Sequence, residues 1–501
     1  MAPRLEGGWL TVGITFTCGM AFMLFGYDQG VFGGLLSNKL FLRTFGNPDA
    51  TIQGQIVSTY DIGCIIGALS SIFVADKLGR RRSIQLGCCF VVVGGLLQAT
   101  AFGLPQMIIG RIVAGCGTGF NTTAVPIYQS ETSKPTERGK LIVLQLVLVL
   151  FGIVITNWMN FGFTWVPNND VSWRFPLAFQ DFFAIVTIFL LYIMPESPRW
   201  LCLKDRHEEA RVVISKLLAK PVDDSEVNES LELMIDSISR ERSMAKVGLR
   251  EIFSNGRHQT FRRIALGAGT SFMQQIGGTN VIVYYLPVLL VDSFGFSQRL
   301  ALILSAVDSI SLMIWGSVAS LLIDRVGRRK LMLFGAFGNA IFFAIAAAGL
   351  SQDTRGWNAV AVTAIFLYYV TYGLSFLSIP FMYPSEINSQ RMRNTGSAIA
   401  MITNWLFVYV VVLITPTGVQ NIGWKFYIIF AVINFSFLPL IWYYYIETAN
   451  MSLEEIDRMF EIKYDAGKEM TYKQAAKRAR EEVECYFEHH TDRLEPVNAR
   501  A

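Results

Sequence analysis

Residues 76–82 read DKLGRRR, and residues 324–330 read DRVGRRK. An acid, a glycine in fourth place and a run of bases recur at an offset of 248 residues. Two further matches follow in the same order. YQSETSKPTERG at Tyr128 is answered by YPSEINSQRMRNTG at Tyr383, an offset of 255, and PESPRW around Glu196 by IETANMSLEEID around Glu447, an offset of 251. One such match carries little weight. Three at nearly one period indicate a duplicated unit, and the residues between the matches say what the unit is made of.

Those residues are apolar. The chain is 52% hydrophobic and 16% charged over 501 residues, with a mean hydropathy of +0.39. Soluble domains carry about 25% charged residues, so the composition is that of a membrane protein. A spanning helix needs roughly 20 apolar residues. Twelve stretches qualify: 9–36, 52–75, 84–103, 106–128, 140–161, 176–194, 261–291, 298–323, 330–350, 358–382, 396–415 and 424–446. Several are interrupted by Gly or Pro, which is tolerated where helices pack on one another.

Lys and Arg divide unevenly between the connecting loops. One side has Lys77, Arg80, Arg81, Arg82, Lys134, Arg138, Lys140, Arg325, Arg328, Arg329, Lys330, Arg391 and Arg393. The other has Lys39, Arg43, Arg174, Arg299, Arg355 and Lys425. The richer side is expected to be cytoplasmic, with both termini inside. The predicted fold is therefore an all-α membrane protein of twelve transmembrane helices in two six-helix halves, residues 1–194 and 259–450. A cytoplasmic helical linker, 195–258, joins them. In it Ala210, Val213, Ile214 and Leu217, and then Leu231, Met234, Ile235 and Ile238, recur at helical spacing. The polar tail, 451–501, is expected to be solvated and partly unstructured.

Other classes are disfavoured. The net charge of +4 gives no sign of a nucleic-acid partner. His207, His258, His489 and His490 fall in polar segments, so no metal site is expected. The seven cysteines show no pairing pattern. No catalytic constellation or phosphate-binding loop pattern stands out, so neither an enzyme nor a cofactor is expected. MAPRLEGG lacks the layout of a cleavable signal.

Several fragments carry a family resemblance: FGYDQG, DKLGRR, GRIVAGCGTGFNTTAVPIYQSE, ERGK, MPESPRWL, QQIGGTNVIVYY, DRVGRRK, YPSEINSQRMR, TNW and IETANMSLEEID. Along most of its length the chain resembles the sugar-porter branch of the major facilitator superfamily. The fourth and fifth spans and WRFPLAFQ are most similar to fungal members, which include proton-coupled sugar and glycerol carriers. The resemblance implies a carrier for a sugar or polyol, expected in the plasma membrane and as a functional monomer, with the lipid bilayer around it.

Asp28 stands in MLFGYDQGVFGG, residues 23–34. A charge in mid-span costs about 2.5–3.5 kcal/mol and usually has a partner. At 1.5 Å per residue, Asp28 lies roughly 12 Å below the outer end of its span, and Arg111 about 8–9 Å below the same face. Two opposite charges at similar depth are natural partners. In proton-coupled members of the resembled family the matching residues do pair, which implies a proton-coupling role. The alternative is a static ion pair that locks helix packing. Asp61 lies at similar depth, in the same network or facing a water-filled vestibule. Asp181 and Asp308 each have only a weaker reading, as a cap, a cavity wall or an interface.

A sugar presents hydroxyls that both donate and accept, which amide side chains match, and an apolar ring face, which aromatics match. The seventh span supplies Gln274, Gln275, Asn280, Tyr284 and Tyr285. On an unbroken helix Gln274 and Asn280 stand about 240° apart. Gly277 and Gly278 lie between them, and a break there lets both face one cavity. The resemblance implies that Gln274, Gln275 and Asn280 bind substrate hydroxyls and that Asn404 and Trp405 line the site. The other reading is amide glue between helices. Two positions depart from the family: Leu146 replaces a usual glutamine, with Gln145 one place earlier, and Phe381 follows Pro380 where tryptophan is common. Both departures weaken a reading of glucose itself.

Finally, Asp76, Arg80, Arg81, Glu131, Arg138 and Glu196 are matched in the second half by Asp324, Arg328, Arg329, Glu386, Arg393 and Glu447. They are expected to form a cytoplasmic gate that latches one state of the carrier, or else only to set topology. A proton-independent facilitator remains open, as does a sugar sensor, although sensors of the family tend to have longer tails.

Overall fold

The computed structural model describes residues 6–133, 138–166, 169–243, 249–352, 354–389, 391–467 and 469–482. Each of the twelve apolar stretches is helical. The first group comprises α1 (Gly8–Leu35), the short α2 (Lys39–Thr44), α3 (Ala50–Leu78), α4 (Arg80–Ala99), α5 (Leu104–Thr132), α6 (Arg138–Gly162) and α7 (Val171–Ile193). Four short helices follow: α8 (Pro198–Leu203), α9 (His207–Leu218), α10 (Ser225–Ser243) and α11 (Leu249–Ile252). The second group runs through α12 (Thr260–Ile276), α13 (Thr279–Asp292), α14 (Gln298–Val326), α15 (Arg328–Ser351), α16 (Arg355–Leu374), α17 (Ile379–Ile387), α18 (Arg393–Ile422) and α19 (Lys425–Tyr444), with α20 (Leu453–Ala466) beyond.

Among the described residues, nine helices are long and apolar enough to cross a membrane. Large apolar side chains on their outer faces are left exposed, among them Phe189, Leu321, Phe435 and Trp442, as suits a lipid solvent. The stretches at 52–75, 106–128 and 261–291, on α3, α5 and α12–α13, are not among these nine; the glycine break leaves α12 and α13 only 17 and 14 residues long. Small residues let these helices pack closely. A Cβ at Gly63 of α3 would come 2.2 Å from the Ile112 carbonyl oxygen of α5, and one at Gly119 of α5 2.2 Å from that of Cys64.

The two groups meet along α1–α13, α3–α18 and α6–α14. Gly33 of α1 seats against Tyr284 and Pro287, Gly54 of α3 against Leu413, and Gly316 of α14 against Leu150 and Leu377. Nearer mid-helix, Phe25 of α1 meets Trp405 of α18 edge-on at 5.5 Å.

The linker periodicity is borne out. Ala210, Val213, Ile214, Leu231 and Ile238 are buried in a small core of their own with Trp200, Leu201 and Cys202. The tail differs from the expectation as far as residue 482. Residues 453–466 and 472–482 are helical. Ser452 and Glu455 form a capping box, and Ile456, Met459 and Phe460 make a buried stripe. Arg263 of α12, 1% exposed, pairs with Asp457 and stacks on the Phe460 ring. A high charge content hid a helix whose one apolar face is enough to dock it.

Candidate functional site

Three features stand out inside this frame. The first is the buried pair. Arg111 Nη1 donates to both oxygens of Asp28 at 3.0 and 2.9 Å. Its Nε and Nη2 donate to the carbonyls of Ile56 and Val57 on α3 at 3.3 and 3.0 Å. The guanidinium lies between the rings of Phe32 and Tyr60, 4.2 and 4.3 Å from their centroids. Both side chains are buried, at 0% and 2% exposure. One cation thus ties α1, α3 and α5 together, with a planar fork that lysine could not reproduce.

The second is a chain of amides at the broken helix. α12 stops at Ile276, Gly278 turns left-handed at φ +92°, and α13 begins at Thr279. The Asn434 amide of α19 donates to the carbonyl of Gly277 at 2.8 Å, holding the break. Across it Asn280 donates to Gln275 at 2.6 Å, and Gln275 to Gln274 at 3.2 Å. Asn404 of α18 donates to Gln274 at 2.9 Å. Gln274 in turn donates to the Phe376 carbonyl at 2.8 Å, which a second break, between α16 and α17, leaves exposed to side chains. Trp405 is buried, and its indole N–H has no partner among the described residues. The Tyr285 hydroxyl is committed to the Val412 carbonyl at 3.0 Å and so stands apart from the amide chain. Gln145 is buried, its amide nitrogen without a partner among the described residues, while Leu146 is half-buried.

The third is a pair of charged clusters at matching helix junctions. Gly79 and Gly327, at φ +94° and +96°, turn α3 into α4 and α14 into α15. Neither glycine has a side chain to cap the new helix. Glu196 does it instead, accepting from the backbone N–H of Arg80 and Arg81 at 3.0 and 3.1 Å. Glu447 does the same for Arg328 and Arg329 at 2.7 and 3.1 Å. A carboxylate at a helix N-terminus is favoured by the orphan donors and the dipole. Beside it Arg80 grips Glu131 through two bonds of 3.1 and 3.2 Å, and Arg328 grips Glu386 at 3.2 and 2.8 Å. Asp76 and Asp324 add contacts at 3.0 and 2.8 Å.

The structure brings most of these residues together in two clusters, with some partners other than those expected. Arg81 donates to the Met194 carbonyl and Arg329 to that of Trp442. Arg393 makes no ion pair among the described residues, and the Arg138 side chain lies outside them. Two hydroxyls were missed: Ser197 donates to Glu131 and Thr448 to Glu386, both at 2.6 Å. The signal was present, since each follows a matched glutamate.

Residues 14–460 match the family described as "Sugar (and other) transporter". The chain is 42% identical over 467 residues to the MFS-type transporter oryC of Aspergillus oryzae, covering 91% of this chain and 86% of that one. It is 37% identical to the sugar transporter STL1 of Saccharomyces cerevisiae, covering 92% and 83%. The chain belongs to this family. Its fold is also that of the E. coli xylose transporter XylE in its inward open conformation, with a TM-score of 0.75 at 23% identity over 89% of this chain and 99% of that one. As a sugar-porter member of the major facilitator superfamily the protein is a multi-pass membrane transporter. The two end clusters sit at the duplicated motifs, and the amide chain runs through the second group, whose QQIGGTN segment carried the resemblance.

Proposed function

We propose that the protein is a secondary carrier that moves a sugar or polyol together with a proton by alternating access. On this reading it has twelve spans in two six-helix halves, 1–194 and 259–450. The linker 195–258 and the tail 451–501 are cytoplasmic, and the protein works as a monomer in the plasma membrane. The observation that carries the proposal is the Asp28–Arg111 pair. It is fully buried between helices of the first group, and it lies on the helix whose Phe25 touches Trp405 beside the amide chain. A proton arriving at Asp28 weakens its hold on Arg111 and loosens α1 from α5. α1 then carries the change to the side chains that meet the solute. Gln274, Gln275, Asn280 and Asn404 are bonded to one another. A solute hydroxyl, donor and acceptor at once, replaces such a bond without leaving either amide unpaired. Leu146 makes the first-group wall less polar than a glutamine would, which favours a solute with fewer hydroxyls on that side.

A facilitator is the second reading. It is favoured by the way Arg111 is also held by Ile56 and Val57, as in a static brace. Purified protein in sealed liposomes, with an inward proton gradient and labelled hexoses, pentoses and polyols, separates the two. Accumulation above equilibrium that is abolished by a protonophore and by Asp28→Asn supports the symporter. Equilibration indifferent to pH establishes the facilitator.

A further inference from the structure

Asp61 lies on α3, one turn beyond the Val57 carbonyl that Arg111 binds. It is fully buried, and neither carboxylate oxygen has a hydrogen-bond partner among the described residues. On α3 itself are Tyr60, whose hydroxyl donates to Thr118 at 2.8 Å, and Cys64. α1 brings Asp28, and α5 brings Arg111 and Cys116, of which Arg111 and Asp28 are within electrostatic reach. α13, across the boundary between the groups, brings Tyr284 and Tyr285, both within electrostatic reach of Asp61. α4 carries Cys88 and Cys89, and α18 the single tyrosine Tyr409.

There are thus two carboxylates and one cation, and the cation is fully engaged. Arg111 gives one nitrogen to Asp28 and the other two to backbone carbonyls. A charged Asp61 would sit fully buried with no protein donor among the described residues and no cation of its own, which is strongly unfavourable. A neutral Asp61 makes the three groups together electrically neutral. Tyr284 has the complementary defect. It is buried, and its hydroxyl has no partner among the described residues, at the place where Gly33 of α1 packs against its backbone. An orphaned acid and an orphaned hydroxyl therefore stand on opposite sides of the boundary that must part during transport.

We propose that Asp61 is a second proton-binding site, occupied while the two groups are closed at α1–α13, and that the Tyr284 hydroxyl donates to its carboxylate once the proton has left. The proton enters from water as a hydronium-derived proton and departs to water on the other side. No other bond changes. This deepens the proton-driven reading, giving the proton a resting place other than the braced Asp28.

The test does not use transport. Infrared spectra of the detergent-solubilised protein are recorded across a pH titration, following the C=O stretch of protonated carboxyl groups. Asp181 and Asp308 are also buried without partners, so each spectrum is subtracted from that of the wild type. The expected result is that Asp61→Asn, isosteric with the neutral acid, removes one band present in the wild type at neutral pH, and that Asp28→Asn retains it. Tyr284→Phe should raise the apparent proton affinity of that band by about tenfold or more, the worth of a hydrogen bond to a charged group. Identical wild-type and Asp61→Asn spectra at every pH overturn the proposal, and so does loss of the band in Asp28→Asn alone. Failure of the symport reading would look different: no accumulation in liposomes, with the Asp61 band intact.

Discussion

Replacing the partners of the buried pair one at a time and together gives a result that neither single change predicts. Asp28→Asn keeps one acceptor oxygen and turns an amide NH2 toward the guanidinium. Arg111 has no exposure to water, so its charge is left uncompensated, at a cost of about 3–5 kcal/mol. Arg111→Met takes donors from the carbonyls of Ile56 and Val57, but both lie inside α3 and keep their helical partners. It leaves the Asp28 carboxylate buried without its cation, at a comparable cost of about 3–5 kcal/mol. The double variant buries no charge at all and fills the guanidinium space with an apolar chain, so it should be more stable than Asp28→Asn alone. At about 2.1 cal/mol/K per residue, unfolding this chain carries an entropy of roughly 1 kcal/mol/K. Asp28→Asn should then lower Tm by on the order of 3–5 °C, and adding Arg111→Met should restore half of that or more. Tryptophan fluorescence of detergent-purified protein, heated at one fixed rate, measures all four forms. If the double variant falls by the sum of the two singles, the pair is not an energetic unit and the reasoning fails.

Four further outcomes are expected. Gly327→Ala places a Cβ 2.4 Å from a Glu447 oxygen at φ +96°. It should lower Tm clearly more than Gly423→Ala, at φ +52° with nothing within 4 Å, in the same thermal scan. Gln274→Ala removes the acceptor for Asn404 and Gln275 and should raise KM for the transported solute about tenfold (about 1–3 kcal/mol). Tyr285→Phe, whose hydroxyl serves Val412, should leave KM unchanged in the same uptake assay. Asp457→Ala strands the buried Arg263 and should speed cleavage within the tail in limited proteolysis, where the wild-type segment up to residue 482 is protected.

What could be read in the sequence follows a physical division. Side chains that pair with side chains leave a trace, so Arg80–Glu131 and Arg328–Glu386 were visible as matched motifs, and Asp28 and Arg111 as charges at one depth. Backbone partners leave none. Nothing in the letters shows that Arg111 would brace Ile56 and Val57, or that Glu196 and Glu447 would cap helices whose first residues follow glycine. The break at Gly277–Gly278 was legible because two glycines mark it. The break over residues 375–378, SFLS, carries no glycine, yet it frees the carbonyl that positions Gln274. The tail as far as residue 482 departs from the expectation for another reason. Its composition is polar on average, but a docked helix needs only one apolar face, and Ile456, Met459 and Phe460 supply it at helical spacing.

The duplicated clusters bear on how such a carrier can move. The sequence suggested a latch that breaks when the halves rock. In the structure each Arg–Glu–Glu cluster closes within its own group, as Arg80 with Glu131 and Glu196, and Arg328 with Glu386 and Glu447. These bonds can survive a rigid rotation of one group against the other. The contacts that must change are of another kind: glycine against backbone at Gly33 and Gly54, leucine at Gly316, and Phe25 against Trp405. Close apolar surfaces separate without stranding a charge in lipid, whereas parting an ion pair at the same depth would cost several kcal/mol per ion. In the alternating-access reading proposed above, the clusters therefore keep each half rigid, and the switch is left to the few buried polar groups on α1, α3 and α13. Arg80→Ala should accordingly lower the thermal stability of the first group, while Asp61→Asn should change the balance between states and leave that stability in place.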